Sequence, residues 1–404
     1  MTSQKILMAM GTRPEIIKMA PIYHELKRHG AQPILLHTGQ HTDMAASLYD
    51  LFDMVPDIAI DLRRRAAIND NQKPHTCPLA NLSSQLLQSI SEVMMGIDAS
   101  AVLVHGDTSS ALMSAMAAFY QKRPIAHIEA GLRSHNEYNP FPEEMNRVLI
   151  ARLARWHFSP TATTRQNLLD EGIADARIHV VGNTIVEAAR LGAAKLATYR
   201  VKHHSMEPDL IGQLAPQLRE KRMLMVTVHR RENQAENIRP IARAVLEIMQ
   251  KYPDIMVVWP VHPNPVVMHA VYEALQDLPA SVSCRLHLTK PLDYPVLLWV
   301  LQHAWLVLTD SGGIQEEAVA LNTPVLVLRD TTERPEIIAA GAGLLIGTQQ
   351  ADIISHVDTL LHHPSKYSVM CQVENPYGDG LTASRICHIL MTKNTAEGQH
   401  SHAA

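Results

Sequence analysis

A chain of 404 residues is longer than one hydrophobic core supports, so two domains are the first expectation. With 46% hydrophobic residues, 19% charged residues and a formal net charge of -4, it reads as globular and offers no basic field for nucleic acid. Four cysteines without metal-type spacing fit a reducing cytoplasm, and the 23 histidines include no HExxH or comparable grouping, so no metal is expected.

The chain opens on an apolar run, Lys5 to Met10, too short for a signal peptide, so no export is expected. It is the first of several β-rich runs: Pro33 to Thr38, Ala101 to His105, Ile125 to Glu129, Trp156 to Ser159 and Ile178 to Val181 follow, separated by longer helical patterns. Such alternation specifies a parallel sheet wrapped by helices. Asp61 to Pro78, polar and basic at Arg63, Arg64 and Arg65, reads as an inserted loop. Past Gly182 and Asn183 a polar helical stretch reaches Lys221. The alternation then restarts with Met223 to Val228, Ile255 to Pro260, Ser283 to Leu286, Leu306 to Leu308 and Pro324 to Leu328. The longest late apolar block, Leu297 to Leu308, is interrupted by Gln302 and His303 and falls short of a bilayer span, so no membrane segment is expected. The predicted fold is α/β, with two doubly wound, Rossmann-like lobes over 1–182 and 183–374. A C-terminal helix at 375–392 is expected to return to the first lobe, followed by a disordered tail at 393–404.

In open α/β sheets ligands gather at the carboxyl ends of the strands, so residues just after each β-run carry the chemical information. After the first run, Gly11-Thr12-Arg13-Pro14-Glu15 leads into a helix whose exposed amides, with Arg13 and Lys18, suit an anion; a plain capped helix with solvated charges fits equally well. Three acids follow later strand ends. Asp107 lies in His105-Gly106-Asp107, Glu129 in His127-Ile128-Glu129, and Glu143 shortly after Phe141-Pro142. Carboxylates brought together cannot all ionise easily, so one of them becomes an acid near neutral pH. Taken singly, each also fits a cap, an ion pair with Arg133 or Arg147, or the first turn of a helix.

His229 follows the first β-run of the second lobe, placed for a phosphate contact or proton transfer, with a satisfied structural histidine as the alternative. The most distinctive segment is Leu306 to Ala318, a strand, a glycine turn and a helix. Gly312 and Gly313 let a diphosphate approach the backbone, Ser311 offers a hydroxyl, and Glu317 is placed for a ribose. Neither turn has the glycine spacing of a dinucleotide fingerprint and no GxxxxGK[ST] loop occurs, which argues against NAD, ATPase and GTPase chemistry.

Together these segments resemble the non-hydrolysing UDP-N-acetylglucosamine 2-epimerases of bacterial type, members of the GT-B fold class. The resemblance runs from residue 4 to about 390 and is carried by GTRPEIIK (11–18), GQH (39–41), HGDT (105–108), HIEAGLRS (127–134), FPEEMNR (141–147), GNT (182–184), TVHRREN (227–233), HPNP (262–265), TDSGGIQEE (309–317), RDTTERPE (329–336) and NPYGDG (375–380). It implies interconversion of UDP-N-acetylglucosamine and UDP-N-acetylmannosamine in an interdomain cleft, without a cofactor, by a cytoplasmic homodimer. It further implies Asp107, Glu129 and Glu143 as the acid/base group with Arg147 nearby, and Ser311, Gly312 and Gly313 at the diphosphate with Glu317 at the ribose. Arg13, Lys18, His229 and Arg334 would add phosphate or leaving-group contacts. Gln40 and His41 match the segment beside which such relatives bind a second UDP-N-acetylglucosamine as activator. The chain departs from the family pattern in the loop that follows, at Arg63 to Pro78.

Overall fold

The computed structural model describes residues 4–40, 45–62, 77–202, 208–230, 233, 237–275 and 278–398. His41 and most of the Asp61 to Pro78 loop therefore lie outside the described residues. The chain divides into two compact units, one of residues 1–188 with 377–404 and one of 189–376.

The first unit is built from β1 (Lys5–Met10), α1 (Arg13–Arg28), β2 (Gln32–His37), α2 (Ala45–Leu51), β3 (Ile58–Ala59), α3 (Pro78–Met95), β4 (Ala101–His105), α4 (Ser109–Tyr120), β5 (Ile125–Ile128), α5 (Glu143–Leu153), β6 (Trp156–Ser159), α6 (Ala162–Asp170), β7 (Ile178–Val180) and the start of α7 (Ile185–Lys202). Its strands form one parallel sheet in the order β3-β2-β1-β4-β5-β6-β7. The apolar runs are buried on both faces, as a helix-covered parallel sheet demands: Leu7, Leu36, Val102 and Val104 pack with Leu86 and Ile90 of α3 and Ala115 of α4. The order reverses at β1 and β4, which makes their carboxyl ends the switch point where such sheets bind ligands.

The second unit contains α8 (Pro208–Gln217), β8 (Arg222–Thr227), α9 (Ile238–Lys251), β9 (Ile255–Pro260), α10 (Pro265–Ala274), α11 (Ala280–Ser283), β10 (Leu286–Thr289), α12 (Tyr294–His303), β11 (Ala304–Thr309), α13 (Gly312–Ala320), β12 (Val325–Val327), α14 (Pro335–Ala340), β13 (Gly343–Leu345), α15 (Gln350–His362) and α16 (Pro364–Gln372). The parallel order is β10-β9-β8-β11-β12-β13, with the reversal at β8 and β11. Ile238, Ile241, Ala242, Val245, Ile248 and Met249 recur at helical spacing along α9, and this stripe packs on Val226, Trp259 and Leu308. Each of the isoleucine, valine and methionine side chains contributes about 1.5–3 kcal/mol on burial.

Three expectations shift. The strand expected over Ser283 to Leu286 begins only at Leu286, and Ser283 ends the helical turn α11, because the buried Arg285 guanidinium donates to the carbonyls of Ser281, Met249 and Tyr252 and ties that turn to its neighbours. The division falls at 188/189 and 376/377 rather than at 182/183 and 374/375. Asn183 N donates to Tyr377 O at 2.8 Å and Ala383 N to Glu187 Oε1 at 2.9 Å, so the first turn of α7 belongs to the first unit. Finally, α17 (Thr382–Gly398) continues past residue 392, where a disordered tail was expected; residues 399–404 lie outside the described set. No described helix is long and apolar enough to cross a membrane.

Two buried histidines stand side by side in the first sheet, His127 of β5 in register with His157 of β6. Burial pushes their pKa values down, to about 3 for His127 and about 4 for His157. Between about pH 4 and 6 the unfolded chain therefore binds two more protons at these sites. Over the same range it binds one fewer at Asp107, whose carboxyl burial pushes up to about 6. At these three sites the unfolded state thus holds a net excess of about one proton, which contributes a loss of about 1.4 kcal/mol of stability per unit fall in pH, and Glu129, held low in the fold, adds to the loss as the pH nears the unfolded carboxylate value. Denaturant titrations from pH 7 to 4 check this slope, and His127→Gln should flatten it.

Candidate functional site

At the switch point of the first unit, β1 ends in Gly11, whose close surroundings admit no side chain: a Cβ there would lie 2.0 Å from Thr38 Oγ1 and 2.4 Å from Ser110 Oγ. Glu15, fully buried in the first turn of α1, accepts hydrogen bonds from Gly11 N (2.8 Å), Thr12 N (2.7 Å) and Thr108 Oγ1 (2.6 Å). One carboxylate thus locks the turn after β1 to the turn after β4. Gln40 joins the same group, its Oε1 accepting from Ser110 N (3.2 Å) and Ser110 Oγ (2.7 Å).

Asp107 follows β4 with 28% of its side chain exposed, and Arg147 Nη2 reaches its Oδ2 at 3.0 Å. Burial of the carboxyl pushes its pKa up to about 6; Arg147 opposes the rise, and the nearby charges of Glu129 and Glu143 add to it. Glu129, at φ +62 just after β5, has the opposite bias. Its Oε2 accepts from Lys18 Nζ (2.5 Å), His105 Nε2 (3.1 Å) and Asn183 Nδ2 (3.4 Å). Burial alone would raise this carboxyl, but the Lys18 ammonium and His105 override it and hold it well below the usual carboxylate range. Near neutral pH the site therefore pairs a carboxyl poised to exchange its proton with one held ionised.

Glu143 opens α5 and is half-buried, and its charge reaches Asp107. Its neighbour Glu144 is the structural acid of that segment, accepting from Ser134 N and His135 N at 3.0 Å each while Arg147 Nε lies 3.4 Å away. Arg13 occupies the first position of α1 and is half-buried.

In the second unit the switch point holds His229 after β8 and Asp310 after β11. Asp310 is fully buried and accepts from His229 N (3.0 Å), Arg230 N (2.9 Å), Asn233 Nδ2 (3.0 Å) and His229 Nδ1 (2.7 Å). Burial would raise its pKa, but the His229 contact and these other donors hold it below the usual value. An ionised carboxylate only accepts, so Nδ1 of His229 carries the hydrogen and proton chemistry falls to Nε2. The imidazole is 45% exposed.

Ser311 caps α13, its hydroxyl accepting from Ile314 N at 3.5 Å, and Gly312 begins the helix. Arg334 is fixed by Glu316, with Nε to Oε1 at 2.5 Å, and its guanidinium lies 3.6 Å from where a Gly312 Cβ would stand. A cation is thereby set against the N-terminus of α13, the favoured end for an anion. A Cβ on Gly313 would meet no protein atom within 4 Å, so packing alone does not require glycine there. Glu317 is buried one turn along the same helix. Among the described residues no group of three or more His, Cys, Asp or Glu side chains is arranged to hold a metal ion.

The structure therefore gathers Asp107, Glu129, Lys18 and Arg147 in the first unit, with Glu143 within electrostatic reach. His229, Ser311, Gly312, Gly313 and Arg334 cluster in the second. It places Lys18 on Glu129 and Glu129 away from Arg133, which pairs with Glu171 at 2.5 Å instead. Sequence reasoning missed His105, Asp310 and Glu316. Asp310 and His105 carried the same strand-end signal as their chosen neighbours, whereas Glu316 carried none beyond its place in the helix.

The sequence profile of the UDP-N-acetylglucosamine 2-epimerase family matches residues 24–391. The UDP-N-acetylglucosamine 2-epimerase of Salmonella typhimurium is 40% identical over 388 residues, which cover 96% of this chain and 98% of that protein. That of Escherichia coli K12 is 40% identical over 394 residues, with the same coverage of 96% and 98%. The crystal structure of the Neisseria meningitidis UDP-GlcNAc 2-epimerase bound to UDP-GlcNAc matches with a TM-score of 0.82 at 37% identity, over 96% of this chain and 100% of that one.

Proposed function

The chain belongs to the UDP-N-acetylglucosamine 2-epimerase family, and from that premise we propose that it inverts C2 of UDP-N-acetylglucosamine reversibly, by eliminating UDP and adding it back. C2 bears an acetamido group and has no adjacent carbonyl, so simple deprotonation gives no stabilised anion. Elimination removes that obstacle. The C1–O bond breaks with its electron pair leaving on the UDP phosphate, a base takes the C2 proton, and a C1–C2 double bond forms in 2-acetamidoglucal. Protonation of C2 from the opposite face and attack of the UDP oxygen on C1 then give UDP-N-acetylmannosamine. The sequence is redox-neutral, so its atoms and electrons balance without a nicotinamide.

The observation that carries this reading is the setting of two strand-end carboxyls: Glu129 meets Lys18 Nζ at 2.5 Å and His105 Nε2 at 3.1 Å, which hold it low, while Asp107 meets Arg147 Nη2 at 3.0 Å and is pushed up to about 6 by burial. Asp107 is suited to handle the proton on one face of C2, and inversion then needs a second proton-handling group on the opposite face, for which Glu143 is the remaining acid. Glu129, still charged, favours the positive character that develops on the ring as UDP leaves. Glu143 completes the acid group. For UDP, the reading assigns the diphosphate to Ser311, Gly312, Gly313 and Arg334, the ribose to Glu317, and leaving-group protonation to His229 as oriented by Asp310. Arg13 adds a further phosphate contact.

Proton NMR of UDP-N-acetylglucosamine incubated with the protein in deuterated water tests the proposal. Deuterium should appear at C2 as UDP-N-acetylmannosamine accumulates. Release of UDP in step with free N-acetylmannosamine identifies a hydrolysing enzyme instead, and tight binding without C2 exchange identifies a transferase.

Gly313 provides a narrower check. Alanine in the first turn of α13 should hold or raise stability, by up to about 1 kcal/mol relative to glycine. If the backbone there must admit a diphosphate, the same methyl should weaken UDP binding about tenfold or more. Calorimetric titration with UDP beside a Tm measurement separates the two effects.

A further inference from the structure

Two polar side chains outside the acid group hold the backbone on either side of Asp107. His127, fully buried in β5, has Nε2 2.8 Å from Gly106 O. A carbonyl only accepts, so Nε2 carries the hydrogen, and Nδ1 is buried without a hydrogen-bond partner. The ring is therefore a neutral donor of one defined tautomer, in keeping with the downward push that burial gives its pKa. Asn146, 7% exposed in α5, donates from Nδ2 to Asp107 O at 2.8 Å. Gly106 stands at φ +65, a left-handed turn, and its N donates to Ile128 O at 3.0 Å.

The peptide plane before Asp107 is thus pinned by β5 and the plane after it by α5. The two rotations about the Asp107 Cα are the angles between those planes, so both are fixed. The next residue of α5, Arg147, takes the other end of Asp107 through its carboxylate at 3.0 Å. We propose that His127 and Asn146 are positioning residues that aim the Asp107 carboxyl by clamping the Gly106 and Asp107 carbonyls. The proposal rests on the assignment of Asp107 to proton transfer.

Steady-state kinetics of epimerisation against pH, for His127→Phe, His127→Gln, Asn146→Ala and the double variant His127→Phe/Asn146→Ala, test the clamp. The titratable and charged groups around Asp107 are Arg147, Glu129, Glu143 and His105, none of which these variants change. Each single donor loss should lower kcat about ten- to a hundredfold with KM within about threefold, because misaimed supporting groups cost turnover more than binding. The kinetic limb near pH 6 should move down, towards an ordinary carboxylate, as the loosened carboxyl gains solvent. His127→Gln keeps an N–H donor and should recover most of the loss. The double variant should lose less than the product of the single losses, since both act on one turn.

A thermal melt of each variant, which reads the first unit as well as the second, serves as the control for folded protein, and Asn146→Ala keeps the test open should His127→Phe not fold. A rise in KM with kcat unchanged overturns the proposal, as does a fall in kcat that leaves the pH limb in place and is equal for Phe and Gln. Asp107→Asn run alongside separates the two levels of argument. If it turns over like the wild type, the assignment of Asp107 fails. If it is inactive while the His127 and Asn146 variants are not impaired, only the clamp fails.

Discussion

Asp107→Asn should lower turnover by about a thousandfold, within the range that a positioned acid/base group contributes, while UDP affinity changes little. Asparagine keeps the shape, the His127 contact with the Gly106 carbonyl and the Asn146 contact with the Asp107 carbonyl, but it carries no exchangeable carboxyl proton. Protein stability should hardly change, since the neutral amide removes the cost of burying an ionised carboxylate but gives up the ion pair with Arg147. The pH profile makes the test specific. In the wild type, protonated and ionised Asp107 coexist near pH 6, so the profile should bend there, and the bend should vanish in the variant. NMR readings of C2 exchange and product formation across pH 5 to 8 measure both. Wild-type turnover in Asp107→Asn would remove this carboxyl from the chemistry.

Asp310→Asn should have the largest combined effect in the second unit. The native carboxylate meets four donors, two of them backbone amides, with no side-chain surface exposed. An amide presents one acceptor oxygen and turns an N–H2 group onto donors that the carboxylate had accepted from. Leaving buried donors unsatisfied costs about 1–3 kcal/mol each, so a net loss of about 3 kcal/mol is expected, and a Tm lower by roughly 6–12 °C for a unit of this size. Turnover should fall about a hundredfold or more in protein that remains folded, because the His229 ring loses the partner that sets its tautomer. Calorimetry and kinetics below the new transition separate the two losses. Since the pairing holds Asp310 below its ordinary pKa, its stabilisation is present above the unfolded value and is lost as the pH falls through the folded one.

Much of the architecture was legible in the chain itself. Lys5–Met10, Ala101–His105, Trp156–Ser159 and Ile255–Pro260 were bounded from sequence where the structure has them, because continuous apolar runs of that length are stable only when buried on both faces. The edge strands β3 and β13 went unseen: two or three residues, Ile58–Ala59 and Gly343–Leu345, leave too little pattern to read. Likewise Arg285, a charge in what looked like a strand, anchors a helical turn through backbone carbonyls that sequence cannot place.

For the site the dividing line is physical. Position after a strand end is a local property, and it picked out Asp107, Glu129 and His229, as well as the Ser311-Gly312-Gly313 turn, from residue order alone. Which protonation state each group adopts is not local. Lys18 lies 111 positions from Glu129 and Asp310 lies 81 from His229, and only the folded sheet brings each ammonium, imidazole and carboxylate within hydrogen-bond range. Coulomb and desolvation energies depend on such distances and on burial, which the packed chain sets and residue order does not. The sequence by itself therefore determined the two doubly wound lobes and the candidates at their strand ends, whereas the tertiary structure alone decided that Glu129 stays charged, that Asp107 titrates near neutrality, and which neighbours hold them so.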